Sequence, residues 1–198
     1  NHYNLEQVTE GWVKLNAIHE CYPGHHSHYV KTASGNMPLS FKSSAPLTSK
    51  AAPLTEAVAI RSETLLKDVY EDEVFPIFVY YRRLHAALRV WVDLILHHFK
   101  EGETAAAEVY KKYLGFSPEE ARGQVLAQKL LPGYFTTYYY GLKRINKIQQ
   151  SKGEGFENFT ELIFSIGKTS MNVLEGILDL EKEERKNLIR NFSDNFKP

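Results

Sequence analysis

The sequence predicts an all-α protein, a multi-helix bundle of seven to nine helices whose first helix ends in a cluster of histidines. Apolar residues recur at three- and four-residue spacing over most of the chain, the period that gives a helix one buried stripe. No segment shows the apolar–polar alternation of a half-buried strand. Four of the eight histidines fall between His19 and His28, at the end of the first helical pattern. At 198 residues, the chain suits a single domain over 1–198 with a sizeable core.

The first helix is expected from about Leu5 to Glu20, where Val8, Trp12, Leu15 and Ile18 share a face. Pro23-Gly24 breaks it, because proline lacks the donor N–H and glycine frees the backbone. Helix resumes from His28 to Ala33. Residues 34–53, with Gly35, Pro38, Pro46 and Pro53, read as a loop. A second long helix is expected from Thr55 to Tyr70. A third spans Pro76 to Lys100; it is apolar nearly all round and therefore expected at the bundle centre, although Arg82, Arg83, Arg89 and Asp93 interrupt it.

Glu103 to Leu114 follows. Ser117-Pro118-Glu119-Glu120 then starts a helix ending near Pro132-Gly133: a serine cap, proline at the first position and an acid at the third. Tyr134–Gln150, Phe159–Ile166, Ser170–Ile177 and a charged, solvated Leu180–Phe192 complete the set.

Composition narrows the partners. Lys plus Arg equals Asp plus Glu at 24 each, so no net field favours nucleic acid or an anionic membrane. No apolar run approaches the ~20 residues of a membrane span. Cys21 is the one cysteine, which excludes an intrachain disulfide and favours a reducing, cytoplasmic setting. The start at Asn1, with neither an initiator Met nor a leader, reads as a fragment or processed chain, able to pair with another copy or with a missing upstream half.

The chemistry concentrates in His19-Glu20-Cys21-Tyr22-Pro23-Gly24-His25-His26. A zinc hydrolase needs two or three imidazole or carboxylate ligands, an open position for water and a nearby carboxylate base. The usual helical solution, His-Glu-x-x-His, puts its histidines four residues apart on one face. Here proline holds the fourth position, as if two residues had been inserted before the second histidine. On an ideal helix His25 would sit roughly 240° round from His19, and His26 on the right face but roughly 10 Å further along the axis. An unwound Pro-Gly turn would release that constraint, which favours His25 as second ligand with His26 as its rival.

This segment resembles the bacterial family grouped as domain of unknown function 885, whose signature is His-Glu-x-x-Pro-Gly-His-His. Thr55-Glu56-Ala57-Val58-Ala59 is similar to its Thr-Glu-Gly-Trp-Ala. Arg89-Val90-Trp91-Val92-Asp93, with His97 beyond it, is similar to its Arg-Leu-Val-Val-Asp and following histidine. Pro132-Gly133, with Tyr138 and Gly141, is similar to its Pro-Gly-Gln-x-x-x-Tyr-x-x-Gly. The departures are Ala57-Val58 for Gly-Trp, His28 for Gln, and Tyr134 for Gln.

The resemblance implies a zinc metallopeptidase of the gluzincin type, of which this chain would be the C-terminal half. Zn2+ would be held by His19, His25 and Glu56, with Glu63, seven residues on, a rival for Glu56. Glu20 would be the general base, facing the open position, and Tyr138 a donor to the developing oxyanion. His26, Arg89, Asp93 and His97 would contact substrate or orient the ligands; Arg89 and Asp93 read equally well as a structural ion pair. His28 is expected at the surface or behind a ligand. His97-His98 makes no second metal site, because adjacent helical residues do not face each other. The expected function is zinc-dependent hydrolysis of a peptide or related amide; the alternative is a metal- or peptide-binding module without turnover.

Overall fold

The structure, a computed structural model, describes residues 9–35, 37–43, 49–181 and 183–188. Among them there is no strand. The helices are α1 (Glu10–Glu20), α2 (His25–Ser34), α3 (Leu39–Lys42), α4 (Ala52–Leu65), α5 (Phe75–Asp93), α6 (Glu103–Leu114), α7 (Pro118–Leu130), α8 (Thr137–Ser151), α9 (Phe156–Ser165) and α10 (Met171–Asp179). A π-helical turn, Leu94–Phe99, prolongs α5, and a 3-10 turn, Tyr134–Thr136, leads into α8. Residues 183–188 are also helical.

The all-α expectation therefore holds, and the helix count exceeds it. Part of the excess is α3, a single turn inside the stretch read as loop. The expected helix portions at residues 5–8 and 189–192 lie outside the described residues, as do 44–48 of that loop.

Local signals set several boundaries where the sequence put them. Ser117 and Glu120 form a reciprocal capping box at the start of α7, with Ser117 Oγ accepting from the Glu120 N–H at 3.2 Å and Glu120 Oε2 accepting from the Ser117 N–H at 2.8 Å. Ser170 caps α10 and Thr9 caps α1.

The central helix is α4, not α5. Every residue of α4 from Leu54 to Glu63 is buried. It packs most extensively on α8 and also meets α1, α2 and α9. Leu54, Val58 and Ile60 join Ile145, Ile148, Phe159 and Ile163 in the largest apolar cluster. The apolar composition of α5 misleads because its polar residues point inward. Arg82 donates to Asn16 Oδ1 at 2.5 Å and Arg83 to the Ile60 carbonyl at 3.0 Å, while Ile77, Tyr80, Leu84 and Trp91 face outward and stay exposed. Phe75, Val79, Leu88 and Val92 share the buried side of α5 with Arg82 and His85, so only part of its apolar residues is covered.

Two glycines permit close approaches that build the site. A Cβ on Gly141 would lie 2.1 Å from the Pro53 carbonyl oxygen, so only glycine lets α8 rest on the first turn of α4. A Cβ on Gly24 would lie 1.8 Å from the His19 carbonyl oxygen. Both obstacles are backbone, which cannot swing aside. Gly24→Ala should therefore cost about 1–3 kcal/mol, the usual range for overpacking, and should displace His25. Denaturant unfolding of the metal-free protein measures this, and an unchanged midpoint would contradict it.

Candidate metal centre

The Pro-Gly turn replaces the bulged helix that the sequence left open. α1 stops at Glu20, Tyr22–Pro23 is a cis peptide, and the Gly24 N–H reaches back to the Ile18 carbonyl at 3.0 Å. The chain folds sharply and α2 starts at His25. Ser62 on α4 holds the turn by donating its hydroxyl to the Pro23 carbonyl at 3.3 Å. His25 thereby comes against His19, with ring centroids 4.8 Å apart and planes nearly perpendicular. His26 is exposed on the other side of α2, beside Tyr22 and Val30.

His19, His25 and Glu56 are buried, and each offers a ligand atom within 4.8 Å of the others. Glu56 Oε2 faces His19 Nε2 at 3.6 Å and His25 Nε2 at 3.5 Å, and it accepts no hydrogen bond among the described residues. These separations are long for N–H···O bonds. They are close to the ~3.3 Å edge of a tetrahedron with ~2.05 Å metal–ligand bonds. An oxygen and two nitrogens thus converge in a buried place without short mutual hydrogen bonds, an arrangement that could hold a metal ion. The donor set, two imidazoles and a carboxylate, fits zinc.

The carboxylates of α4 clamp His19 from both sides. Glu56 and Glu63 are seven residues apart, so they share one face of α4, two turns apart. His19 Nδ1–H donates to Glu63 Oε1 at 2.7 Å, which leaves Nε2 to point at Glu56. Glu63 thus lies behind His19, and the candidate metal-holding group contains Glu56 and not Glu63. Burial lowers the pKa of His19, yet Glu56 and Glu63 outweigh it and raise it to about 9. Burial likewise raises Glu56, and the two imidazoles overcome that and hold it at about 2. Both shifts have one cause, imidazoles and carboxylates stabilising each other's charge across the gap.

An outer carboxylate of this kind orients its imidazole and typically contributes 10–100-fold to metal affinity. Glu63→Gln keeps an acceptor for Nδ1–H but removes the charge, so zinc affinity should fall by about 10–100-fold. Competition against a chelating dye reads this; wild-type affinity would contradict the role.

Tyr134 holds Glu56 in turn, donating its hydroxyl to Oε1 at 2.9 Å. The Tyr138 hydroxyl lies 3.3 Å from that of Tyr134, and its ring stacks on His19 at 6.0 Å and 13°. Burial and the nearby Glu56 push the Tyr134 phenol up to about 12 and Tyr138 further still, so both stay protonated donors. Tyr134 was not picked out as a site residue. The available signal was its position, one helical turn before Tyr138, with a hydroxyl where the family has an amide.

Glu20 ends α1 beside His19 and is exposed, with no hydrogen bond or ion pair among the described residues. Its charge raises the pKa of Tyr29, after burial and Glu56, and Tyr29 stacks on His25 at 5.7 Å. His28 is fully buried against Phe164 and Tyr29, which removes the surface half of its expectation and leaves the place behind His25 open; burial first, then His25 and Lys168, hold it down at about 4.

The ion pair that was one of two readings of Arg89 and Asp93 does not form, because the two side chains serve different neighbours. Asp93 Oδ1 accepts from the Gly133 N–H at 2.9 Å, and His97 Nε2 lies 3.2 Å from the Gln128 carbonyl. Together they fix the α7–α8 connection that delivers Tyr134. Arg89 turns instead to Gln124, Phe135 and Tyr138.

Comparison with curated proteins and with solved structures finds no match. The profile of the family described as bacterial protein of unknown function (DUF885) matches residues 1–178. The turn that brings His25 to His19, the glutamate between them and the Tyr138 stacked beside them thus stand on the segments whose motifs resembled that family, and the chain belongs to DUF885.

Proposed function

We propose that this chain carries the metal centre of a zinc-dependent hydrolase acting on peptide or related amide bonds. The observation that supports this most is Glu56 Oε2, buried without a hydrogen bond and aimed at two imidazole nitrogens at 3.5 and 3.6 Å. Zinc held by His19, His25 and Glu56 would supply Lewis acidity, polarising a carbonyl and making water nucleophilic near neutral pH.

The chain's own groups do the rest. Glu20, at the solvent edge next to His19, takes a proton from the attacking water as its oxygen bonds to the carbonyl carbon. It returns that proton to the nitrogen as the C–N bond breaks. Tyr138 donates its hydroxyl hydrogen to the developing oxyanion. Glu63 and Tyr134 hold His19 and Glu56 in place and take no part in bond making.

The test is a peptide library incubated with the full-length protein, with and without chelator, followed by zinc readdition. Cleavage that the chelator abolishes and zinc restores supports the reading. Tightly bound zinc with no cleavage of any peptide would favour a binding module instead.

A further inference from the structure

Among the described residues Arg89 has no carboxylate in hydrogen-bond contact, and Glu56 acts on it only at longer range. The Arg89 Nη2 donates to the neutral Gln124 Oε1 at 3.3 Å, and its Nε is buried without a partner. No carboxylate lies within ion-pair distance among the described residues; the Phe135 and Tyr138 rings sit 4.9 and 5.1 Å from its Cζ. Burial pulls its pKa down, the mark of a charge whose hydration has not been replaced. Cation–π contacts replace only part of that hydration.

The guanidinium lines a cavity of about 460 Å³ between α1, α5 and α7, walled by Trp12, Phe78, Tyr81 and Phe116. That size lies within the range of small-ligand sites, about 300–1,000 Å³. The other ionisable groups on its wall do not neutralise Arg89. His85 is held at about 3 by burial and by Arg89 and Arg82, so it is neutral. Glu120 also lines the cavity, and its carboxylate accepts from the Ser117 N–H at the cap of α7.

None of His19, His25 and Glu56 lines this cavity, and one residue connects it to them. Tyr138 touches Arg89 with the same ring that stacks on His19. Laid end to end, those two contacts place the guanidinium within about 11 Å of the His19 ring, a reach of about three extended residues at ~3.5 Å each.

We propose that this cavity anchors the free C-terminal carboxylate of a peptide, with Arg89 as its partner and an aromatic or large apolar last side chain against Trp12, Tyr81 and Phe116. Resting on the hydrolase reading, this gives it a substrate class: peptides cut within about three residues of a free C-terminus. Guanidinium and carboxylate match as a two-pronged donor and acceptor, a geometry that a lysine or an amide does not reproduce.

The test separates binding from turnover. N-acetylphenylalanine and its C-terminal amide are titrated by calorimetry into metal-free full-length protein, wild type, Arg89→Met and Arg89→Lys. The wild type should bind the acid about 10- to 100-fold more tightly than the amide, the range for hydrogen bonds to charged groups. Arg89→Met should lose that preference, and Arg89→Lys should recover part of it. Equal binding of acid and amide by the wild type, or no binding of either, overturns the proposal without recourse to any variant. A preference that survives in Arg89→Met overturns it as well.

In the zinc-loaded protein, peptides with free and amidated C-termini are then compared. Equal kcat/KM for the two ends the anchor and leaves the hydrolase reading standing. Selective acid binding with no cleavage of any peptide ends the hydrolase reading and leaves the carboxylate site.

Discussion

Glu20→Gln should bind zinc as the wild type does and cleave peptide at least ~10²-fold more slowly, the lower end of what a positioned general base contributes. Glu20 follows His19 directly, is exposed and makes no hydrogen bond or ion pair among the described residues, so the amide should change neither packing nor the residues around His19. What it removes is the proposed base; of the other carboxylates near His19 among the described residues, Glu56 Oε2 faces the imidazoles and Glu63 is bonded to His19. Because the loss is in proton transfer, it should fall on kcat with KM nearly unchanged. A metal assay run beside the kinetics distinguishes this from loss of the site. Wild-type turnover by Glu20→Gln would refute the assignment.

His19→Asn should lose metal and activity together. His19 touches every part of the centre: Glu56 across the ligand gap, Glu63 behind, His25 edge-on and Tyr138 in a stack. Its removal leaves Glu63, fully buried, without the 2.7 Å hydrogen bond from Nδ1 and with Arg82 at 3.9 Å and the charge of Arg83 to balance it. Zinc stoichiometry should drop from about one to below about 0.1 per chain after dialysis, because two remaining ligands do not make a zinc site. Circular dichroism should still report a helical protein, since the largest apolar cluster, around α4, α8 and α9, does not include His19. A variant that keeps stoichiometric zinc would place the metal elsewhere.

Much of the fold was legible because its signals are local. The capping box at Ser117, the stop at Pro132-Gly133 and the three- and four-residue periodicity act within a few residues of where they are read. The choice of central helix was not legible in this way. α4 is central because α8, α1, α2 and α9 all pack on it, and α5 has more apolar residues while turning its arginines inward. Composition records how apolar a helix is and not which partners its few charges will find.

The centre divides along the same line. His19, His25 and Glu56 stand in short motifs, and the Pro-Gly break favoured His25 over His26. Glu63 behind His19 and Tyr134 on Glu56 depend on how α1 and α8 dock against α4. Those contacts span 44 and 78 residues of sequence, beyond any local signal. The failed Arg89–Asp93 pair shows the same limit: helical spacing placed the two side chains on one stripe, and tertiary partners took each of them away.

The most direct test of the metal assignment is diffraction from crystals of the full-length protein prepared without chelator, recorded on both sides of the zinc absorption edge. One anomalous peak is predicted, bonded to His19 Nε2, His25 Nε2 and a Glu56 carboxylate oxygen at ~2.0–2.2 Å. A peak at another set of residues, or His19 and Glu56 side chains more than roughly 10 Å apart, would contradict it, since no single zinc spans that gap.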